Sequence, residues 1–526
     1  MAASSFSQGV NLWEVVINPT NLKSKTLPLV SLRNQYSINF HLSVFSILAL
    51  LLQFIHFTPQ RLHAQDLVLL HSLSWFAFAP LIPDAIKQDL KLTPAQIGNS
   101  NVVALCATLL VRVLAGPLID QYGPRKVMAG LLFLGAIPSG LAGTVYTANG
   151  LYVIRFFIGI LGGTFVPCQA WTTVFFDKNV VGTANALAGG WGNAGGGVTF
   201  AVMIALYNGL LSSGLASKVA WRVAFAIVPV PLLLLVATSV MVFGTDHPAG
   251  KWSDRHMAIA HGNPKLEQVP EDGRTLARPD ESKDDPEKKG GLADVQVHVT
   301  LPPLEDSNMV SELDYAVNEP LTLELALKII STPLTWLPAL AYFTTFGYEL
   351  AIDANLANVL LSLYQSKTFG QTKAGYIASI FGLLNIFARP LGGHFGDLVY
   401  RKWGVPGKKY LLIFFGVSQG LLSLGLGIYI DSHHHPSLAV VIVLLIVLAM
   451  ANEAANGVNF SLVPHCNPCS NGFMSGIVGG MGNFGGIVYA MVFRFQPVPV
   501  GKAFWISGII AMAINLLISV IRVPLV

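Results

Sequence analysis

Arg112 and Arg389 each sit inside a long apolar stretch, and each opens the same spaced pattern: Arg112, Gly116 and Asp120, then Arg389, Gly393 and Asp397, roughly half a chain apart. A guanidinium at the centre of a bilayer costs about 2.5–3.5 kcal/mol even on the lenient insertion scale, so it needs an internal partner or a task. Residues four apart share a helix face, which puts each Arg, Gly and Asp on one stripe. At 1.5 Å per residue each Arg stands about 12 Å along the helix from its Asp. Neither helix carries a carboxylate on the far side of the Asp to neutralise its arginine. A planar cation with a fork of donors suits an oxygen-rich anion, so the two positions suggest one anion site shared by two halves.

A second element is also duplicated. Gly189-Gly190-Trp191-Gly192-Asn193-Ala194-Gly195-Gly196 matches Gly479-Gly480-Met481-Gly482-Asn483-Phe484-Gly485-Gly486. Glycine at this density lets helix backbones approach closely. Close packing does not explain the equally placed Asn193 and Asn483, whose amides can donate to a ligand's oxygens.

These residues must be carried by helices that cross a membrane. The chain has 526 residues, 53% hydrophobic and only 11% charged, with a mean hydropathy of +0.57. A soluble globular protein usually carries about 25% charged residues. An all-α, polytopic membrane protein is expected, with apolar segments near 38–57, 67–86, 97–120, 127–147, 150–175, 181–208 and 221–244, then 333–362, 372–397, 409–430, 437–463, 472–495 and 502–524. The stretch from about 245 to 332 is rich in Lys, Asp, Glu, Pro and Gly and reads as a disordered loop between two helix bundles, 38–244 and 333–526. Arg125 and Lys126, and Arg401, Lys402, Lys408 and Lys409, follow the two arginine helices; the positive-inside rule places both loops, the central loop and the 1–37 tail in the cytoplasm.

Seven apolar segments before the central loop would leave the N-terminus outside, against that rule. Residues 44–73 therefore read as an atypical insertion into one first helix joining Ile38–Ser43 to Ser74–Pro80, as an unremoved intron would produce. A full-length transcript lacking those codons supports this; one containing them that yields active protein contradicts it.

Other motifs carry little. Cys466-Asn467-Pro468-Cys469 has no second ligand pair, and His433-His434-His435 reads as an exposed loop, so no metal and no cofactor is expected. There is no Gly-x4-Gly-Lys-Ser/Thr loop to drive a pump with ATP and no nucleophile–base motif, which argues against an enzyme. Nothing supports nucleic-acid binding.

Gly116-Pro117-Leu118-Ile119-Asp120-Gln121-Tyr122-Gly123-Pro124-Arg125-Lys126 resembles the signature loop of the major facilitator superfamily, and Arg155-Phe156-Phe157-Ile158-Gly159 its fourth-helix motif. The paired Gly-Asn elements are similar to the signatures of its nitrate/nitrite porter family. With the long central loop and Phe346–Asn355, the chain looks most similar to fungal high-affinity nitrate transporters, from Ser74 onward. The resemblance implies two six-helix bundles related by a pseudo-two-fold axis, working as a monomer in the lipid bilayer of the plasma membrane. It implies that Arg112 and Arg389 clamp nitrate or nitrite, with Asn193 and Asn483 alongside, Gly189 and Gly479 permitting close approach, and Tyr348 contacting the anion. Gly116, Asp120, Gly123, Arg125, Arg155, Gly393 and Asp397 then form the structural motifs.

Moving one negative charge inward against 100 mV costs about 2.3 kcal/mol, so accumulation needs more than one proton per anion or exchange for an internal anion. Glu349, Asp353 and Glu453 are the candidate proton carriers. Asn452, Asn456 and Asn459 share a helix face that could line a cavity. Three alternatives remain open at this point: a proton-coupled sugar porter, disfavoured by the paired arginines; a nitrate/nitrite exchanger; and a nitrate sensor signalling through the central loop.

Overall fold

The structure, a computed structural model, describes residues 75–78, 81, 85–176, 179–247, 251–254, 321–467 and 470–524. The stretch 44–73 and most of the central loop lie outside the described residues.

After a short helix α1 (Lys87–Leu90), the first half contains α2 (Pro94–Tyr122), α3 (Pro124–Leu141), α4 (Ala148–Ile158), α5 (Phe165–Phe175), α6 (Val181–Ser212), α7 (Ser217–Ile227) and α8 (Pro229–Phe243). The second half contains α9 (Leu323–Ser331), α10 (Pro333–Tyr364), α11 (Gln371–Leu383), α12 (Asn385–Ser432), α13 (Leu438–Cys466), α14 (Asn471–Phe495) and α15 (Lys502–Ile518). Among the described residues, eight helical stretches are long and apolar enough to cross a membrane. One of them, Thr372–Ser432, holds two of the expected spans, because its backbone breaks at Gly404 (φ 63°, ψ −158°).

Local chemistry sets the boundaries. Thr93 caps α2 with a reciprocal bond to Gln96, and Pro94 takes the first turn, where a missing N–H costs nothing. The turn from α2 to α3 needs a backbone at φ 89°, which Gly123 supplies, and Pro124 opens the next helix. Gly404 does the same for the second half, at the equivalent corner after Asp397.

Three large apolar clusters, with a smaller fourth around Ile119 and Val166, organise the described residues. One lies within the first half, around Met128, Leu161, Trp221, Phe225 and Val236. Another lies within the second half, around Tyr348, Leu356, Phe381, Leu426 and Phe504. The third joins them, with Leu105 and Phe165 packed on Tyr342, Phe346, Phe460 and Val478. Large apolar side chains that remain exposed, such as Leu114, Ile137, Phe387 and Phe414, lie on the spanning helices, as a lipid-facing surface requires.

The expected loop 245–332 is structured where it is described. Trp252 is buried and donates to the carbonyl of Asp120 at 3.0 Å, Asp246 pairs with Arg125, and Leu323–Ser331 is a helix bent 69° from α10. These ends carry apolar and charged groups that the bundle satisfies, which the loop's average composition conceals.

Candidate substrate site

Arg112 and Arg389 come from α2 and α12, on opposite sides of the junction, and both are buried, 4% and 0% exposed. Their guanidinium groups lean on the same rings. The Arg112 carbon lies 4.8 Å from the centre of Phe165 and 5.0 Å from Phe346, the Arg389 carbon 5.7 and 6.0 Å from the same two. Cation–π contact in a dry site offsets part of the charge burial.

The local backbone explains how Arg112 is held. Between α4 and α5 the chain tightens into a 3-10 segment, Gly159–Thr164, and the Gly162 carbonyl accepts from Arg112 Nε at 2.9 Å. The Gly479 carbonyl accepts from Arg112 Nη1 at 3.0 Å. Arg389 is held differently: its Nη2 donates to the Tyr342 hydroxyl at 2.9 Å and its Nη1 lies 3.9 Å from Glu349 Oε2. Arg389 Nε and Nη1, both buried, have no hydrogen-bond partner among the described residues.

The glycines exchange halves. A methyl group on Gly189 would come within 3.0 Å of Arg389 Nε, and one on Gly479 within 3.3 Å of Arg112 Cδ. Each half therefore removes a side chain to admit the other half's arginine. Asn193 and Asn483 line a common cavity of about 30 Å³ together with Arg112, Phe165, Phe346 and Trp75. Among the described residues, Asn193 Nδ2 and Asn483 Oδ1 are buried there without partners, while Asn483 Nδ2 donates to the Gly479 carbonyl at 3.0 Å.

Tyr348 does not join this group. Its hydroxyl bonds Ser423 Oγ at 2.8 Å within the second half's own core. The tyrosine at the site is Tyr342, which the sequence reading overlooked. Tyr342 and Glu349 are seven residues apart, nearly two helical turns, so they share a face that Tyr348 does not. Phe165 and Phe346 were also missed as site residues, for lack of any polar signal.

Glu349 and Glu453 do come together. Asn456 Nδ2 donates to Glu349 Oε2 at 2.9 Å and to Glu453 Oε2 at 3.2 Å, and Asn385 Nδ2 donates to Glu349 Oε1 at 2.8 Å. Asp353, a turn further along α10, is only half-buried. Asn452 and Asn459 donate instead to the Thr345 and Pro338 carbonyls of α10, a packing role.

Both aspartates cross the junction. Asp120 accepts from the backbone N–H of Gly472 (3.1 Å) and Phe473 (3.0 Å) and from the Ser470 hydroxyl (2.8 Å), so it caps α14. Asp397 accepts from Gly182 N (3.1 Å) and Thr183 N (2.6 Å), so it caps α6. Neither helix is capped by its own N-cap side chain. The positive end of each helix dipole is thus closed by a carboxylate of the opposite half. Gly116 and Gly393 permit this approach: a methyl group on Gly116 would come within 2.8 Å of the Gly472 carbonyl, and one on Gly393 would collide with Gly182.

Lys408, expected in a solvated loop, is wholly buried, donating to Asp397 at 3.3 Å and to the Ser461 carbonyl at 2.9 Å. Arg125 pairs with Asp246 at 3.2 Å, and burial pushes the Asp246 carboxyl up even so. Arg155 donates to Ser100 at 2.8 Å and stays within its own half.

Residues 67–490 match the family model described as Major Facilitator Superfamily. The chain belongs to the major facilitator superfamily. Over 453 residues it is 30% identical to the high affinity nitrate transporter 2.5 of Arabidopsis thaliana, covering 86% of this chain and 77% of that protein. It is also 30% identical over 467 residues to elsinochrome transporter 1 of Elsinoe fawcettii, covering 84% and 88%. The fold matches that of the Escherichia coli fucose:proton symporter with a TM-score of 0.54 at 13% identity, over 86% of this chain and 97% of the other. The resemblance to nitrate/nitrite porters read from the motifs therefore extends over most of this transporter.

Proposed function

We propose that this transporter imports nitrate, and nitrite with it, across the plasma membrane in a proton-coupled cycle of alternating access around Arg112 and Arg389. The observation that carries this reading is the convergence of one buried arginine from each half on the same pair of phenylalanine rings, each admitted by a glycine of the opposite half. A small planar monoanion fits such a clamp: a guanidinium offers two parallel N–H donors, and two of them neutralise and orient the anion without a metal. The small cavity and the unpartnered Asn193 amide and Arg389 N–H groups favour a compact anion over a bulky solute. Relatives named as nitrate transporters support the same choice.

Bundles that rock about a midplane site need a closure on each side. Asp120 and Asp397 with their helix caps close the side toward which Arg125, Lys402 and Lys408 lie, which the positive-inside rule makes cytoplasmic together with the central loop. Glu349, Asp353 and Glu453 remain the residues through which protons couple. Uptake of labelled nitrate and nitrite in a transport-deficient cell, with membrane potential recorded, tests the reading. Uptake with depolarisation is expected; uptake without a potential change points to exchange, and no uptake of either anion overturns it.

A further inference from the structure

We infer that Glu349 and Glu453 form a proton-carrying pair that competes with the anion for Arg389. This deepens the reading above and rests on it. Asn456 Nδ2 donates to both carboxyls, which sets Glu349 and Glu453 side by side on one amide, where two full negative charges repel. The charged groups around Glu349 are Arg389 from α12, Glu453 from α13, Arg112 from α2 and Asp353 on its own helix. The other helices packed on α10 contribute no charge to this cluster among the described residues.

Arg389 and Glu349 are 0% and 2% exposed, and their nitrogen and oxygen are 3.9 Å apart, an ion pair short of a hydrogen bond. Arg389 Nε and Nη1 are left without hydrogen-bond partners beside it. One guanidinium balances one anionic partner. With Glu349 ionised, the carboxylate supplies that partner. When a proton from the outer aqueous side adds to Glu349, its charge is lost, the hydrogen is shared with Glu453, and Arg389 is released to the entering anion. After the anion leaves on the inner side, Arg389 draws the carboxylate back and the proton departs to the cytoplasm. Arg112 donates to carbonyls and leans on two rings, and among the described residues it has no carboxylate at ion-pair distance. The pair thus carries one of the protons that move with each anion.

The test uses the full-length protein in liposomes, reading nitrate/nitrate exchange without a gradient and accumulation driven by a pH gradient. In the wild type, KM for nitrate should rise by about tenfold per pH unit once the pair loses its proton. Glu453→Gln keeps the Arg389–Glu349 ion pair but removes the second carboxyl; its ratio of accumulation to exchange should fall about tenfold or more, with a flattened KM profile. Glu349→Gln should show the same split with tighter nitrate binding. A wild-type KM that does not change with pH, or a Glu453→Gln protein with the wild-type ratio and profile, overturns the pair. Should both variants lose exchange as well, the wild-type KM profile decides. Absence of exchange in the wild type, by contrast, overturns the nitrate reading itself and the pair with it.

Discussion

The two arginines occupy equivalent places and live in unequal surroundings. Arg112 is held by the Gly162 and Gly479 carbonyls, neutral acceptors that cannot change charge. Arg389 is held by a tyrosine hydroxyl and faces a buried glutamate, itself linked to a second one through Asn456. Backbone symmetry gives both halves the same way of admitting a cation. Side-chain asymmetry gives only the second half a partner that can exchange charge with the solvent. In the proposed cycle the fixed charge holds the anion and the other decides when it is held.

Removing the arginines should separate these roles most strongly. Hydrogen bonds to charged groups contribute about 1.5–3 kcal/mol each, so losing two predicts a drop in nitrate uptake of at least about 100-fold in both Arg112→Ala and Arg389→Ala. Only Arg389→Ala leaves a buried carboxylate unpaired, and a lost buried partner costs about 3–5 kcal/mol unless the carboxyl takes up a proton. Thermal unfolding of the purified proteins should therefore show Arg389→Ala less stable at neutral pH, with the gap closing as pH falls. Equal stability at all pH values would erase the distinction.

The second-half closure can be probed at a smaller scale. Asp397 pairs with the buried Lys408 as well as capping α6. Asp397→Asn should therefore lose more stability than the roughly 1 kcal/mol typical of a cap alone. The midpoint of thermal unfolding checks this, and a loss no larger than a cap's would contradict it.

Among the glycines, Gly189→Ala places its methyl group against the Arg389 nitrogen, and Gly479→Ala meets the methylene stem of Arg112 at slightly longer range. Overpacking of this kind typically costs about 1–3 kcal/mol, and the larger rise in nitrate KM is expected for Gly189→Ala. The smallest pair is Tyr342→Phe against Tyr348→Phe. The first removes Arg389's hydroxyl partner and should raise KM by about tenfold or less. The second breaks the bond to Ser423 and should lower stability without changing KM. The reverse pattern would return Tyr348 to the site.

The sequence carried the all-helical membrane architecture through its apolar stretches, and the paired arginines and Gly-Asn elements because each departs from what a lipid-facing helix tolerates. Depth along the helix was readable from the spacing of Arg112 and Asp120, since 1.5 Å per residue is a property of the backbone. It did not carry which face of α10 meets the site. With apolar residues all round, Pro333–Tyr364 has no amphipathic stripe to orient it, so nothing in the sequence pointed to Tyr342. Lys408 likewise read as a loop lysine because its partner, Asp397, lies eleven residues away across a break that only Gly404's conformation reveals. Trp252 was hidden by the acidic and basic run that follows it.

The central claim is that both arginines hold one anion, and nitrate binding to the purified protein tests it most directly. Titrating nitrate and reading the rise in thermal stability in the wild type, Arg112→Lys and Arg389→Lys compares proteins of equal formal charge. The account predicts saturable stabilisation in the wild type and its loss, by a factor of about 10 or more in affinity, in each lysine variant, because an ammonium cannot supply the paired donors. Wild-type affinity in either variant would contradict it.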